Sequence, residues 1–346
     1  MNLKKTGAWY LNELKDIKKN NLNVFSCFHC GGGSTMGYKL AGFNVLGGVE
    51  IDKEMMDIYR ANHNPKYSYM MGVQEFNKLE NIPEELKNLD ILDGSPPCST
   101  FSMAGKREKK WGKEFKFREG QKFQRLDDLF FHFVETAKLL QPKIVVAENV
   151  KGLIAGNARG YVKEIFNDFR KAGYETQLFL FNSAAMGVPQ KRERTFFIAR
   201  RKDLNFKPFK PTFREKPISC KTAFEGISSA SFAKPIAPAA RALWHKVKPG
   251  QSFSKVHPKG YYFSSVMLNP NQPSPTMIAN AGSLLTHWQS PRTLSAEENK
   301  RLQTFPEDFN FLKIDPRYVM GMSVPPFMTQ RVALEIYNHW FKTENN

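Results

Sequence analysis

Cysteine is scarce in this chain: Cys27, Cys30, Cys98 and Cys220 are the only ones in 346 residues. That is too few for a disulfide framework and suits a reducing compartment. Long apolar runs are missing too. None approaches the roughly 20 residues that a helix needs to cross a bilayer, so no membrane span is expected. From Met1 to Lys19 charged and apolar residues alternate; this is unlike the apolar core of a secretory leader and points to a cytoplasmic protein. Acidic residues are outnumbered, 33 against 51 Lys and Arg, for a net charge of +18. Such an excess favours a polyanionic partner. The spacing of Cys27-Phe28-His29-Cys30 is zinc-like, but no second Cys or His pair follows at a suitable distance, so no metal is expected.

The length suits one large α/β domain with a smaller one. Val24 to Phe28 reads as a first strand, Gly31-Gly32-Gly33 as a sharp turn into a helix starting near Ser34, and Val45 to Val49 as a second strand closed by Glu50. Strand, glycine turn, helix, strand and acid open a nucleoside-binding sheet. The dinucleotide fingerprint fails because Met36 stands where its third glycine belongs, and the P-loop fails because Tyr38 replaces its lysine. A cofactor with adenosine but no phosphates fits better. Leu89 to Leu92 and Ile144 to Ala147 are further strands, with a helix from about Leu126 to Leu140 between them, so the sheet should be mostly parallel. From Lys106 to Arg125 nine Lys and Arg face three Glu, interleaved with aromatics. Such a stretch reads as a closing loop or as a solvated linker. After Lys202 the segments turn short, Pro-rich and irregular. Order returns at Ser295, where Ser followed by Glu298 forms a capping-box pattern. A last helix is expected from about Pro326 to Phe341.

Three stretches carry chemistry. Gly94-Ser95-Pro96-Pro97-Cys98 presents one thiol on a backbone stiffened by two prolines; taken alone, a Pro-rich turn with an incidental cysteine is an equal reading. The strand Lys143 to Ala147 runs into Glu148-Asn149. In Gln190-Lys191-Arg192-Glu193-Arg194, ahead of the apolar run Thr195 to Ala199, extended backbone would put Gln190, Arg192 and Arg194 on one face.

These stretches, in this order, resemble the cytosine-C5 DNA methyltransferase family. The resemblance covers nearly the whole chain and includes Phe28 to Gly37, Arg292-Thr293-Leu294-Ser295, Arg301 to Pro306 and Gly321 to Pro326. It implies a Rossmann-like S-adenosylmethionine methyltransferase fold, with residues 1–202 catalytic and completed by 318–346, 203–290 recognising the target and 291–317 a hinge. Cys98 would add to C6 of a flipped cytosine, Glu148 would bond its N3 and N4 edge, Arg194 its O2, and Arg192 the adjacent backbone. Ser102 would lie near the flipped phosphate, with Lys109, Lys110 and Lys113 in the DNA-binding loop. S-adenosyl-L-methionine would meet Phe28, Gly33, Glu50, Ile51, Val73, Pro97, Leu129 and Val324.

The chain departs from the family at four places: Ser26 stands for an Asp, Cys30 for a Gly, Val73 for an acid and Met322 for an Asn. The partner is expected to be double-stranded DNA, alongside an independently acting restriction endonuclease, and the protein to be a monomer. The alternatives are a tRNA cytosine-C5 methyltransferase, a non-catalytic DNA-binding relative and, more remotely, a dehydrogenase.

Overall fold

The computed structural model describes residues 6–97, 114–115, 124–125, 128–154, 159–227, 233–279 and 284–342. They form two compact units: Lys18–Phe181 with Glu193–Pro211 and Val332–Asn346, and Met1–Ile17 with Asn182–Arg192 and Thr212–Arg331.

The first unit is built on a seven-stranded sheet. Its strands are β1 (Asn23–Cys27), β2 (Asn44–Val49), β3 (Tyr67–Tyr69), β4 (Ile91–Gly94), β7 (Ile144–Val150), β8 (Tyr174–Asn182) and β9 (Glu193–Arg201), in the order β3-β2-β1-β4-β7-β9-β8. The short pair β5 (Glu114–Phe115) and β6 (Gln124–Arg125) stands apart from that sheet. Pairings among β3, β2, β1, β4 and β7 are parallel, and β7 meets β9 antiparallel. Central strands such as Ile144 to Ala147 are apolar on both sides because helices cover both faces of such sheets. The α/β, mostly parallel Rossmann-like expectation therefore holds. Beneath the helices lies an aromatic-rich core in which Phe25, Phe76, Phe130, Phe133, Phe169 and Phe197 are all buried.

Helix α1 (Gly33–Leu40) follows the glycine turn, and α2 (Lys53–His63) is capped by Asp52, whose carboxylate accepts the Glu54 N–H at 2.9 Å. Strand order reverses between β1 and β4, and the crevice beyond the carboxyl ends at such a reversal is where open α/β sheets bind ligands. The expected helix before β7 is observed as α5 (Leu129–Leu140), after α3 (Val73–Phe76) and α4 (Glu84–Lys87). Helix α6 (Arg159–Lys171) leads to β8.

The second unit is irregular, with α7 (Cys220–Ala223), α8 (Pro238–Trp244) and the two-residue parallel pair β10 (Val266–Met267) and β11 (Leu285–Thr286). It also contains α9 (Ala296–Gln303), where the expected capping box is present: Glu298 N–H donates to Ser295 Oγ at 3.1 Å and Ser295 N–H to Glu298 Oε2 at 2.7 Å. Helix α10 (Pro316–Met322) precedes α11 (Pro326–Ile336). The last helix stops short of the expected Phe341, because Tyr337–Phe341 widens into a π turn. There Trp340 donates to the Lys207 carbonyl at 2.9 Å and packs its ring 5.1 Å from Phe209.

Candidate active site

Glu148 and Arg194 come from different sequence blocks and meet on adjacent strands. The β7–β9 register pairs Glu148 with Phe196 and Val150 with Arg194, so the two side chains are diagonal neighbours on one face. Arg194 Nε lies 3.0 Å from Glu148 Oε1, with both side chains nearly buried. Burial lowers the Arg194 pKa, and the Glu148 charge opposes that shift. Next to it, Asn149 donates to the Pro96 carbonyl at 3.0 Å. The acid-bearing strand end is thereby tied to the prolyl segment that leads into Cys98. Cys98, Ser102, Lys109, Lys110 and Lys113 lie outside the described residues.

The Gln-x-Arg-x-Arg stretch alternates as expected: Gln190 and Arg192 are buried and Lys191 is exposed. Gln190 and Arg192, however, are committed within the second unit. Arg192 donates to the carbonyls of Met277 and Gly321, both at 2.9 Å, and Gln190 accepts the Met277 N–H at 3.0 Å. The expected contact of Arg192 to a nucleic-acid backbone is not what this geometry offers. A guanidinium that is 2% exposed and already holds two carbonyls acts as a brace.

Among the expected cofactor residues, Phe28, Ile51 and Val73 join Val49, Met71 and Gly72 around one small apolar slot. Its lining of Phe, Val, Ile and Met side chains is apolar, the chemistry that a flat aromatic ring packs against. Glu50, at the end of β2, accepts backbone N–H groups from Cys30 at 2.9 Å, Ile51 at 2.9 Å and Asp52 at 3.0 Å. Burial pushes its carboxyl up to about 6 against those donors. A carboxylate offers about four acceptor positions, so Oε2 has room for one hydroxyl donor. Gly33 opens α1 and Leu129 opens α5, both buried, while Val324 is a buried residue of the second unit.

The turn between β1 and α1 is tightly constrained. Gly32 has φ +92°, and a Cβ there would sit 2.2 Å from the His63 ring, so only glycine fits. Phe28 and Cys30 also adopt left-handed φ, 56° and 51°. His29 stacks on Tyr59 with centroids 3.7 Å apart, and burial lowers its pKa to about 4.

Sequence reasoning missed Asp93. Its buried carboxylate accepts from Ser26 Oγ and Ser34 Oγ, both at 2.7 Å, and from Tyr38 OH at 3.2 Å. The available signal was an acid inside the apolar run Ile91-Leu92-Asp93-Gly94, immediately before the prolyl segment.

The family description C-5 cytosine-specific DNA methylase matches residues 22–338. The chain is 28% identical to the Type II methyltransferase M.NgoPII of Neisseria gonorrhoeae, over 92% of this chain and 96% of that one. It is likewise 28% identical to M1.HphI of Haemophilus parahaemolyticus, over 90% and 86%. Among solved structures, a putative DNA modification methyltransferase encoded within an E. coli prophage aligns with TM-score 0.70 at 21% identity, covering 93% of this chain and 100% of that one. The DNMT2 of Spodoptera frugiperda aligns at 0.65 with 17% identity, covering 93% and 100%. Both structures share the fold. Among the described residues no helix is long and apolar enough to cross a membrane.

Proposed function

Because the chain belongs to the C-5 cytosine-specific DNA methylase family and is a DNA (cytosine-5-)-methyltransferase, we propose that it acts on a cytosine flipped from duplex DNA, with Cys98 as nucleophile and Glu148 and Arg194 holding the base. The Glu148–Arg194 pair carries this reading. A carboxylate and a guanidinium side by side offer an acceptor for the cytosine N4 amino group and a donor for its O2, and Asn149 fixes them to the backbone that precedes Cys98.

C5 of cytosine is a weak nucleophile until a thiolate adds to C6. Cys98 forms that bond, and electron density moves to C5 and N3. Glu148, on the N3 and N4 edge, gives N3 the proton that neutralises the negative charge building there. After C5 has been substituted, loss of its proton and elimination of the Cys98 thiolate restore the aromatic ring and the free enzyme. These groups cannot reach a stacked base, so the cytosine must leave the helix. Ser102 and the Lys109, Lys110 and Lys113 loop are assigned to the flipped strand on the strength of the resemblance. Arg192 braces Met277 and Gly321.

The fit of the β1–β2 end supports S-adenosyl-L-methionine as cofactor: Phe28, Ile51 and Val73 for the adenine, Glu50 for the ribose hydroxyls, Gly33 and Pro97 nearby. When bound, it supplies an electrophilic methyl group. Residues 203–290 read the target sequence.

The test is covalent trapping. Bisulfite sequencing of DNA from cells expressing the protein locates the methylated cytosine, and a duplex with 5-fluorocytosine at that position should form a stable adduct, since fluorine cannot leave in the elimination step. Cys98→Ala should form none. An adduct that survives this substitution, or methylation confined to tRNA, would overturn the reading.

A further inference from the structure

Between Gly226 and Ala296 the sequence holds no aspartate or glutamate, yet it includes Lys246, Lys248, Lys255, Lys259 and Arg292. Arg292 is paired with Glu298 at 2.7 Å, but the four lysines have no acidic residue within the stretch to offset them, so this part of the second unit presents an excess of positive charge. Within it a turn, residues 257–263, carries three consecutive aromatics outward. Phe263 is 83% exposed and Tyr261 61%. Exposed aromatics in a row are unusual on a soluble surface and mark a contact.

The turn is also preformed. His257 Nδ1 accepts the N–H groups of Lys259 at 3.1 Å and Tyr261 at 3.3 Å, and its carbonyl accepts that of Gly260 at 2.9 Å. The His257 ring stacks on Tyr261 with centroids 5.0 Å apart, which supports one tyrosine face. Ser252 Oγ donates to the Phe263 carbonyl at 2.7 Å, with the Tyr262 carbonyl at 3.1 Å. Tyr262 has φ 63°, a left-handed conformation that the surrounding bonds hold in place. At its base the turn is anchored by Phe253, fully buried among Leu243, Val247 and Met267 and bonded through its N–H to the Ser265 carbonyl at 2.9 Å. A rigid tip that projects an apolar ring amid lysines suits a polyanion with stacked aromatic bases better than a protein partner, which would meet those lysines with carboxylates. Pre-ordering also lowers the entropy lost when the tip is buried.

We propose that the turn 257–263 is an aromatic tip that enters bound duplex DNA, Phe263 stacking against a base step while Lys255 and Lys259 meet the flanking phosphates. The proposal rests on the reading above that the protein acts on duplex DNA, and it names a contact made by the second unit.

The probe is a fluorescent duplex of about 30 base pairs carrying a cytosine that the full-length wild-type protein methylates, with binding followed by anisotropy at several salt concentrations. Phe263→Ala should weaken binding about tenfold, within the range for loss of one base–aromatic stack, without lowering the melting temperature, because the ring is exposed. Phe263→Trp should restore affinity to within about threefold. Phe263→Leu, apolar but without a π face, should not. Replacing Lys255 and Lys259 with Gln should reduce the salt slope by about two. Wild-type affinity in Phe263→Ala, or equal affinity in the Leu and Trp variants, overturns the proposal. A wild-type protein that neither methylates nor binds duplex DNA overturns the functional reading itself, and that result is visible before any variant is made.

Discussion

Ser26 and Asp93 are register partners across β1 and β4, and Ser26 Oγ donates to Asp93 Oδ2 at 2.7 Å. The family resemblance places an acid at position 26. Here a carboxylate occupies the adjacent strand instead, bonded also to Ser34 and Tyr38 of α1. It links β1, β4 and the helix that follows the glycine turn, at the point where strand order reverses.

Stability should carry the signature of that buried acid. Burial raises the Asp93 carboxyl to about 6; its three hydroxyl donors oppose the shift and the Glu148 charge adds to it. A carboxyl whose native pKa lies above its unfolded value, about 3.9, favours the native state while protonated. That contribution is whole below about pH 4 and is lost as pH rises through about 6. Asp93→Asn keeps an acceptor for both serines and presents its amide to Tyr38 OH. The variant should gain on wild type as pH rises from 5 to 7, by about 1 kcal/mol, then run parallel to it. Urea unfolding between pH 5 and 8 measures this, and parallel curves throughout would refute it. Glu50 is common to both proteins and cancels.

Glu148→Gln separates charge from geometry. The amide oxygen can still accept from Arg194, so the melting temperature should change little. Trapping of the 5-fluorocytosine duplex should slow by about 100-fold or more, since an amide cannot give N3 the proton that neutralises the ring. Equal trapping rates would remove Glu148 from the chemistry.

Cys30 stands where the family usually has glycine, and its φ of 51° gives the reason for that preference. Cys30→Gly should stabilise the protein by about 1 kcal/mol through relief of left-handed strain, less whatever the Cys30–Met55 sulfur contact at 3.4 Å contributes. Chemical denaturation decides it, and a loss of stability would show that this contact outweighs the strain.

Removing the brace at Arg192 should be costly. Arg192→Ala leaves the Met277 and Gly321 carbonyls without their charged donor, a loss of about 3 kcal/mol. The loss should show as early unfolding of the second unit in hydrogen exchange at 277–279 and 316–322. A variant with unchanged exchange but weakened DNA binding would return Arg192 to a direct contact.

Much of the sheet was legible because a strand buried on both faces must be apolar on both. Short runs such as Val145-Val146-Ala147 and Phe196-Phe197-Ile198 read as buried strands and are buried in the sheet. Strand β8 escaped notice because it lies at the sheet edge, where Glu175, Thr176 and Gln177 can face solvent and break the apolar run. The capping box at Ser295 was legible for the opposite reason, since all its bonds lie within four residues.

What the sequence determined by itself was which chemical groups exist and in what order: a thiol after two prolines, an acid ending one strand, arginines opening another, and a glycine turn after the first. Partnership lay beyond it. Glu148 faces Arg194 only because β7 and β9 run antiparallel in a register that makes them diagonal neighbours. Arg192, two residues earlier, belongs to the second unit and donates to the Met277 and Gly321 carbonyls of that unit. Asp93 reads in sequence as an isolated acid in an apolar run. Packing β4 beside β1 and beneath α1 brings it three hydroxyls from residues 55 to 67 positions away, and a bond over that distance is fixed by strand order and register, which local sequence does not encode.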